Sequence, residues 1–170
     1  MKTLYILRHA KSSSLDTSLA DFDRPLNERG LDAAPFIGEM MTRKGIVPDV
    51  IISSPAKRAM QTGELVKEAS GSNAHIRYEE RIYEASPQAL TLVVARIGEE
   101  FDSAMIVGHN PGIEGLIKYL TGRSERMPTA ALAAISLDLG GWDEITAGGG
   151  ELLFVIRPRE EMKEHGYPGS

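Results

Sequence analysis

The ten residues "MKTLYILRHA" (1–10) decide the fold that this sequence predicts. Their apolar part has the character of a strand buried on both faces, and Arg8 and His9 follow it directly. The run "SAMIVG" (103–108) has the same character and is also followed by a histidine, His109. In open α/β sheets, ligands bind beyond the carboxyl ends of the parallel strands. The pattern therefore predicts a functional site where these two strands end.

The rest of the chain alternates short apolar runs with helical patterns. A third run, "DVIIS" (49–53), predicts a strand parallel to the first two. Three helices are predicted because each begins with a capping residue followed by proline, over residues 54–69, 86–101 and 110–122. Residues 27–44 also have a helical pattern, and Pro35 predicts that this segment divides into two short helices.

Two further strands are expected to close the sheet. The runs "ALAAISLDL" (131–139) and "ELLFVIR" (151–157) flank a turn-rich segment, which is typical of an antiparallel pair. The whole pattern predicts an α/β fold, a three-layer sandwich whose mostly parallel central sheet has helices on both faces and a C-terminal antiparallel hairpin. We expect one domain over residues 1–157 and a loose polar tail over 158–170.

The composition excludes several classes of function. The chain has 170 residues and no cysteine, so disulfides, a thiolate nucleophile and a cysteine-ligated zinc site are excluded. A net charge of −5 without a dense basic run argues against a nucleic-acid partner. No run approaches the roughly 20 apolar residues of a membrane span and no secretory signal is seen, so we expect a soluble, cytoplasmic protein without a membrane partner.

Two arginines accompany the histidines at the predicted sheet edge. Arg58 lies one turn into the helix that "SSPAKRAMQT" (53–62) begins, and its head can swing back toward the helix N-terminus. Guanidinium groups bind phosphate bidentately and stay charged, so a phosphoryl-transfer site here would need no metal or other cofactor. A neutral His9 is then the expected nucleophile, which forms a phosphohistidine enzyme that water hydrolyses. His109 is expected to donate a hydrogen bond to the transferring group.

Three motifs in this order resemble those of the histidine phosphatase superfamily: "LYILRHAKS" (4–12), "SSPAKRAMQT" (53–62) and "IVGHNPG" (106–112). Within the superfamily, which has the phosphoglycerate-mutase-like fold, this short chain is similar to the SixA-like phosphohistidine phosphatases. The resemblance implies that His9 accepts the phosphoryl group and that Arg8 and Arg58 clamp it. It also implies that His109 completes the pocket.

Residues around this core of the site have weaker assignments. Lys11 either steers phosphate or solvates a loop, and the resemblance gives Arg24 of "RPLNERG" (24–30) a peripheral role in substrate binding. The family's usual glycine after Arg-His is Ala10 here, so we expect a backbone geometry there that favours glycine. The chain lacks room for the segment that roofs the site and supplies an acid in larger members. Glu84 is the best-placed candidate for that acid.

The leading prediction is a metal-independent phosphatase that acts on phosphohistidine in a protein. An unroofed site admits a phosphorylated side chain on a protein surface, whereas a small phosphate ester gains little affinity there beyond its phosphate. A phosphatase of the same superfamily acting on a small phosphomonoester, such as a sugar phosphate or a nucleotide, is the alternative. A non-catalytic phosphate-binding module is the third reading, and it would have no reason to keep His9 and His109 beside the arginines.

Overall fold

A computed structural model describes residues 1–164 of the chain. Within that range, one sheet contains six strands: β1 (Lys2–Arg8), β2 (Val50–Ser53), β3 (His75–Tyr78), β4 (Ser103–Gly108), β5 (Leu132–Leu137) and β6 (Gly150–Ile156). The same range contains five α-helices: α1 (Glu28–Lys44), α2 (Lys57–Ser70), α3 (Pro87–Ala95), α4 (Gly112–Thr121) and α5 (Pro158–Glu164). None of these helices is long and apolar enough to cross a membrane.

The strand order across the sheet is β3-β2-β4-β1-β5-β6. The first four of these strands pair in parallel, and β5 pairs antiparallel with both β1 and β6. The predicted α/β fold, with a mostly parallel sheet and a C-terminal antiparallel hairpin, is confirmed. This order places the carboxyl ends of β1, β4 and β2 side by side, which is where the sequence predicts the site.

Helices cover both faces because side chains of the central strands alternate between two apolar layers. Leu4 and Ile6 of β1 are fully buried in a layer that also holds the inner faces of α3 and α4. Leu7 of β1 and Met105 of β4 point the other way, into a layer with the inner faces of α1 and α2. The site residues therefore follow the ends of strands that are buried on both faces.

The prediction that Pro35 divides the segment 27–44 is wrong, because α1 runs through Pro35 without a break. Proline removes one backbone hydrogen bond and destabilises a helix interior by about 3 kcal/mol. Ile37 and Met41 of the same helix are fully buried, and each such burial contributes about 1.5–3 kcal/mol. Packing against the sheet therefore outweighs the local defect.

Three predicted helix ends also differ from the structure. The helix predicted from residue 54 begins at Lys57, the one predicted from 110 begins at Gly112, and the one predicted to reach 101 ends at Ala95. At the first two, the expected capping side chains of Ser54 and Asn110 bond to residues of the site, as described below. Ser86, by contrast, caps α3 as predicted, accepting a hydrogen bond from the Ala89 N–H.

The polar tail predicted over 158–170 is not loose in its first part, which forms α5. The reason is Met162, which is only 6% exposed and packs against Phe36 and Met40 of α1. This contact and the ion pair between Glu160 and Arg126, at 2.9 Å, hold the helix against the rest of the chain. The remainder of the predicted tail, 165–170, lies outside the described residues.

Candidate active site

Two histidines meet at the carboxyl ends of the neighbouring strands β1 and β4. The His9 N–H donates to the Gly108 carbonyl at 3.1 Å, which continues the pairing of the two strands by one residue. The centroids of the His9 and His109 rings lie 5.0 Å apart. The strand β2, on the other side of β4, delivers Ser54 to the same place, where its N–H donates to the Val107 carbonyl.

His9 is held as a neutral ring with one free nitrogen. Its side chain is buried, and its Nδ1 lies 2.7 Å from the carbonyl oxygen of Ala10. A carbonyl oxygen only accepts, so the ring proton resides on Nδ1 and the lone pair on Nε2. Burial, aided by His109 and the nearby arginines, lowers the pKa of His9 to about 3 although the Ala10 carbonyl opposes it. At neutral pH the Nε2 atom is therefore an uncharged nucleophile.

The backbone N–H of Ala10, the residue whose carbonyl pairs with His9, is held by a threonine of α2. The Ala10 N–H donates to Thr62 Oγ1 at 2.9 Å, and that hydroxyl donates to the Arg58 carbonyl at 2.7 Å. The expectation that Ala10 needs glycine-like geometry is wrong, because within residues 1–164 only Glu84 and Ala130 have a positive φ among non-glycine residues. Alanine fits here without backbone strain.

Replacing Thr62 with valine is expected to lower the free energy of unfolding by about 1–3 kcal/mol, because the buried Ala10 N–H loses its acceptor. Urea unfolding followed by circular dichroism measures the change. Thr91→Val is the matched control, since the Thr91 hydroxyl also donates to a helical carbonyl four residues back but accepts no backbone N–H in the described structure. Equal destabilisation by the two substitutions would contradict this role of Thr62.

His109 is oriented by Ser54, which the sequence indicated only as a helix cap. The His109 Nε2 lies 2.8 Å from Ser54 Oγ, which also accepts the Ala56 N–H. When the Ser54 hydroxyl donates to Nε2, the ring proton of His109 lies on Nδ1, and only this N–H lacks a partner. When Nε2–H donates to Ser54 instead, both the hydroxyl proton and the Nδ1 lone pair lack a partner, so the first arrangement is favoured. The Nδ1 atom is buried without a partner in the described structure. His109 thus offers Nδ1–H as a donor, and burial together with Arg58 lowers its pKa to about 4.

Both predicted arginines lie at this site with part of each guanidinium unused. Arg8 donates through Nη1 to the Met127 carbonyl, and Arg58 donates through Nη1 to the Asp21 carbonyl and through Nη2 to its carboxylate. The Nε–H of each arginine is buried and has no acceptor within residues 1–164. Both positive charges lower the pKa of both histidines, so all four groups lie within electrostatic range of one another. Such an array of donors suits an oxyanion.

Asn110 does not cap α4 as predicted but braces the loop that holds Arg8. Its Nδ2 donates to Glu114 Oε2 at 2.7 Å and to the Met127 carbonyl at 2.9 Å. The Met127 N–H donates to the same Glu114 oxygen at 2.9 Å. The carbonyl that receives Arg8 is thereby fixed from both sides, and α4 begins one residue after its Pro111 cap.

Asp21 and Tyr83 belong to the site although nothing in the sequence singled them out. The Tyr83 hydroxyl donates to Asp21 Oδ2 at 2.6 Å, and this bond raises the pKa of Tyr83 to about 12. The Tyr83 ring also packs edge-on against His109, with ring centroids 5.6 Å apart. Hydrogen bonds from Tyr83, Arg24 and Arg58 hold the pKa of Asp21 well below its usual range, so it is a carboxylate at neutral pH.

The three weaker assignments lie around this centre. Arg24 donates to Asp21 Oδ1 and to Ser12 Oγ, so its guanidinium is engaged with the loop after β1. Lys11 is exposed, and its ammonium has no hydrogen bond or ion pair with the described part of the chain. Glu84 is exposed and lines a cleft of about 670 Å³ together with His109. No cluster of three metal-ligating carboxylate or imidazole side chains occurs in residues 1–164.

The segment between α2 and α3 contains little that could cover the site. It consists of β3, a short 3-10 turn over Glu80–Ile82 and connecting residues. This agrees with the expectation from the sequence that the chain has no room for a roofing insertion there.

Comparison with known proteins places this arrangement in a family. Residues 4–105 match the sequence model of the histidine phosphatase superfamily, branch 1. An uncharacterized protein of Mycobacterium tuberculosis is 31% identical over an alignment of 164 positions, which covers 90% of this chain and all of that protein. The crystal structure of a candidate phosphohistidine phosphatase SixA from Agrobacterium tumefaciens is 29% identical, with a TM-score of 0.80 over 92% of this chain and 98% of its own.

A second structure, the protein histidine phosphatase SixA complexed with tungstate, covers 94% of this chain and 99% of its own with a TM-score of 0.81. At 21% identity this likeness bears on the fold alone. The family match spans more than half of the chain and includes the first two of the three motifs. This chain therefore belongs to the histidine phosphatase superfamily and is a SixA-like phosphatase.

Proposed function

We propose that this phosphatase removes the phosphoryl group from phosphohistidine on a protein, through a phosphohistidine intermediate on His9 and without a metal ion. The observation that carries the proposal is the fixed tautomer of His9. Its bond to the Ala10 carbonyl leaves Nε2 with a free lone pair, beside two guanidinium groups with unused N–H donors. The assignment of roles to these residues follows from their chemistry.

In the first step, the His9 Nε2 lone pair attacks phosphorus and the bond between phosphorus and the leaving nitrogen breaks. Charge on the equatorial oxygens is stabilised by Arg8 and Arg58 and by a hydrogen bond from His109 Nδ1–H. As Nε2 becomes bonded, positive charge spreads to Nδ1–H, whose bond to the Ala10 carbonyl strengthens. The other ring nitrogen of the substrate phosphohistidine carries a proton, so the leaving group departs as neutral imidazole, and the phosphoryl group is then bonded to His9 Nε2.

In the second step, a water oxygen attacks the same phosphorus atom and the bond to His9 Nε2 breaks. The products are inorganic phosphate and the original neutral His9, with the water proton passing to the phosphate or to solvent. Splitting the transfer into two displacements lets the same cationic groups stabilise both transition states. Neither step needs a group beyond the four named residues and water.

The protein substrate is supported by the absence of a roofing segment and by the chemistry of the leaving group. Between α2 and α3 the chain inserts only one short strand and a turn, so a side chain on a folded surface has access. An imidazole leaves more readily than an alkoxide, so the reaction needs little help from an acid. A non-catalytic phosphate-binding module, by comparison, would not require the fixed tautomer of His9.

A small phosphomonoester is the second candidate substrate, and the placement of Glu84 is the observation that favours it. Its exposed carboxyl group lines the cleft next to His109, where it can meet a leaving oxygen. An alkoxide leaving group requires a proton, and a glutamic acid can donate one. Glu84 as the general acid, Lys11 and Arg24 as substrate-binding residues, and a cytoplasmic location all stay predictions.

The test compares kcat/KM for a phosphohistidine-bearing carrier protein with that for a panel of small phosphomonoesters, all in EDTA. We expect the carrier to be preferred by at least about tenfold, which corresponds to about 1.4 kcal/mol of differential stabilisation. EDTA is expected to leave both rates unchanged, and strong inhibition would establish a metal requirement.

Glu84→Gln separates the two candidate substrates. We expect its rate on the carrier protein to match that of the wild type, with Glu80→Gln as the control for loss of a nearby exposed carboxylate. Preference of the wild type for one monoester, combined with slow turnover of that monoester by Glu84→Gln, would assign the enzyme to small-molecule metabolism.

A further inference from the structure

We propose that Asp21 is a positioning residue for catalysis, which holds the guanidinium of Arg58 in the orientation that phosphoryl transfer requires. The inference rests on the proposed function, since it takes Arg58 as part of the phosphoryl clamp. Asp21 lies in a short turn, Asp21–Asp23, at the end of the long loop after β1, while Arg58 comes from the first turn of α2. The fold brings them together across the mouth of the site.

Two acceptors of Asp21 fix the plane of the Arg58 guanidinium. The Asp21 carbonyl oxygen accepts from Nη1 at 2.7 Å and the carboxylate Oδ2 accepts from Nη2 at 3.0 Å. Two contacts to the planar guanidinium define both its position and its rotation, which a single contact does not. Arg58 is only 6% exposed, so without Asp21 its charge would be buried and unpaired.

Asp21 is itself immobilised by hydrogen bonds rather than by burial. Its side chain remains 52% exposed, but Arg24 donates twice to Oδ1 and the Tyr83 hydroxyl donates to Oδ2. Tyr83 in turn packs against both His109 and Phe22, at 5.6 and 5.1 Å between ring centroids. The carboxylate therefore connects the loop after β1, the helix α2 and the segment after β3 at one point.

The opposite interpretation is that Asp21 competes with phosphate for Arg58. A guanidinium has five N–H donors, and Asp21 accepts two of them. The Nε–H has no acceptor in the described part of the chain, so this donor remains for a phosphoryl oxygen while Asp21 accepts from Nη1 and Nη2. Because Asp21 and the phosphoryl group use different N–H groups of Arg58, the arrangement favours positioning over competition.

Asp21→Asn tests the proposal because it keeps the backbone carbonyl and the side-chain size but removes the charge. We expect kcat to fall about tenfold on both p-nitrophenyl phosphate and the carrier protein, since misorientation of one clamp weakens transition-state contacts. The Kd for inorganic phosphate is expected to change by less than about threefold, because loss of orientation and loss of a nearby negative charge act in opposite directions. A purely structural defect would lower the melting temperature without lowering kcat more than it weakens phosphate binding.

A second readout needs no turnover. In NMR spectra of the arginine side chains, we expect the hydrogen exchange of the Arg58 Nε–H to accelerate at least about tenfold in Asp21→Asn, because a neutral amide with one acceptor oxygen holds the guanidinium less firmly than the carboxylate does. Asp23→Asn is the matched control, since Asp23 lies in the same turn and its carboxylate makes no bond within residues 1–164. Failure of the wild type to hydrolyse any phosphate substrate would overturn the proposed function, and this measurement would still decide the role of Asp21.

A double-mutant cycle shows whether Asp21 acts through Arg58. In an Arg58→Ala background, we expect Asp21→Asn to have no further effect on kcat, because the group it positions is gone. The same loss of kcat in both backgrounds would overturn the proposal. So would wild-type kcat and wild-type exchange in Asp21→Asn, and so would a rise in kcat, which would establish competition with phosphate.

Discussion

His9→Ala is expected to lower kcat by at least about four orders of magnitude, on the scale seen when an enzyme loses its nucleophile. The proposed mechanism gives the reason, since the phosphoryl group has no other acceptor in the first step. Stopped-time assays on the carrier protein and on p-nitrophenyl phosphate measure the loss. Brief incubation of wild-type enzyme with radiolabelled substrate is expected to trap an acid-labile phosphoryl group that the variant lacks.

Two controls show that such a loss is chemical. His75→Ala is expected to retain wild-type kcat, because His75 lies exposed on the edge strand β3. Binding of inorganic phosphate to His9→Ala is expected to stay within about tenfold of the wild type, because Arg8, Arg58 and His109 remain. Residual activity of His9→Ala above about 1% of wild type would exclude His9 as the essential nucleophile.

The positions of the two histidines could be predicted because they depend on local pattern and on a rule of topology. A buried apolar run predicts a strand, and a residue that follows it lies at the carboxyl edge of a parallel sheet. His9 and His109 satisfy that rule independently, and the pairing of β1 with β4 makes them neighbours. Much of the sheet was predictable in the same way, since its central strands are continuous apolar runs.

Asp21, Tyr83 and the role of Ser54 could not be predicted because they depend on contacts between distant parts of the chain. Asp21 meets Arg58 across 37 residues and Tyr83 across 62. No spacing rule applies to a loop, and an aspartate among polar neighbours has no distinguishing pattern. Capping rules failed at Ser54 and Asn110 because these side chains bond to the site instead.

The neutral histidines of the site should also make the fold sensitive to acid. His9 and His109 have folded-state pKa values lowered to about 3 and about 4, against an ordinary value of 6.5. Below pH 6.5 the unfolded chain therefore binds protons that the folded chain does not. Stability is complete above pH 6.5 and falls as the pH drops toward these folded-state values.

Between pH 7.5 and pH 5 the expected loss in the free energy of unfolding is about 2 kcal/mol for His9 and nearly as much for His109, because pH 5 lies above the folded-state pKa of both rings. Asp21 adds nothing in this window. Its lowered pKa contributes stability that is present above the ordinary value of 3.8 and is lost only below it. Urea unfolding at the two pH values measures the sum.

His9→Gln is expected to remove about half of this pH dependence, because glutamine has a similar shape but does not titrate, so it takes up no proton when the chain unfolds. His75→Gln is the matched control, since an exposed histidine leaves the dependence as it was. For each variant, the comparison uses the difference in the free energy of unfolding between pH 7.5 and pH 5, so the effects of packing changes that do not depend on pH cancel. If His9→Gln loses as much stability as the wild type between these values, His9 is not held neutral in the fold, and the assignment of Nε2 as an uncharged nucleophile fails with it.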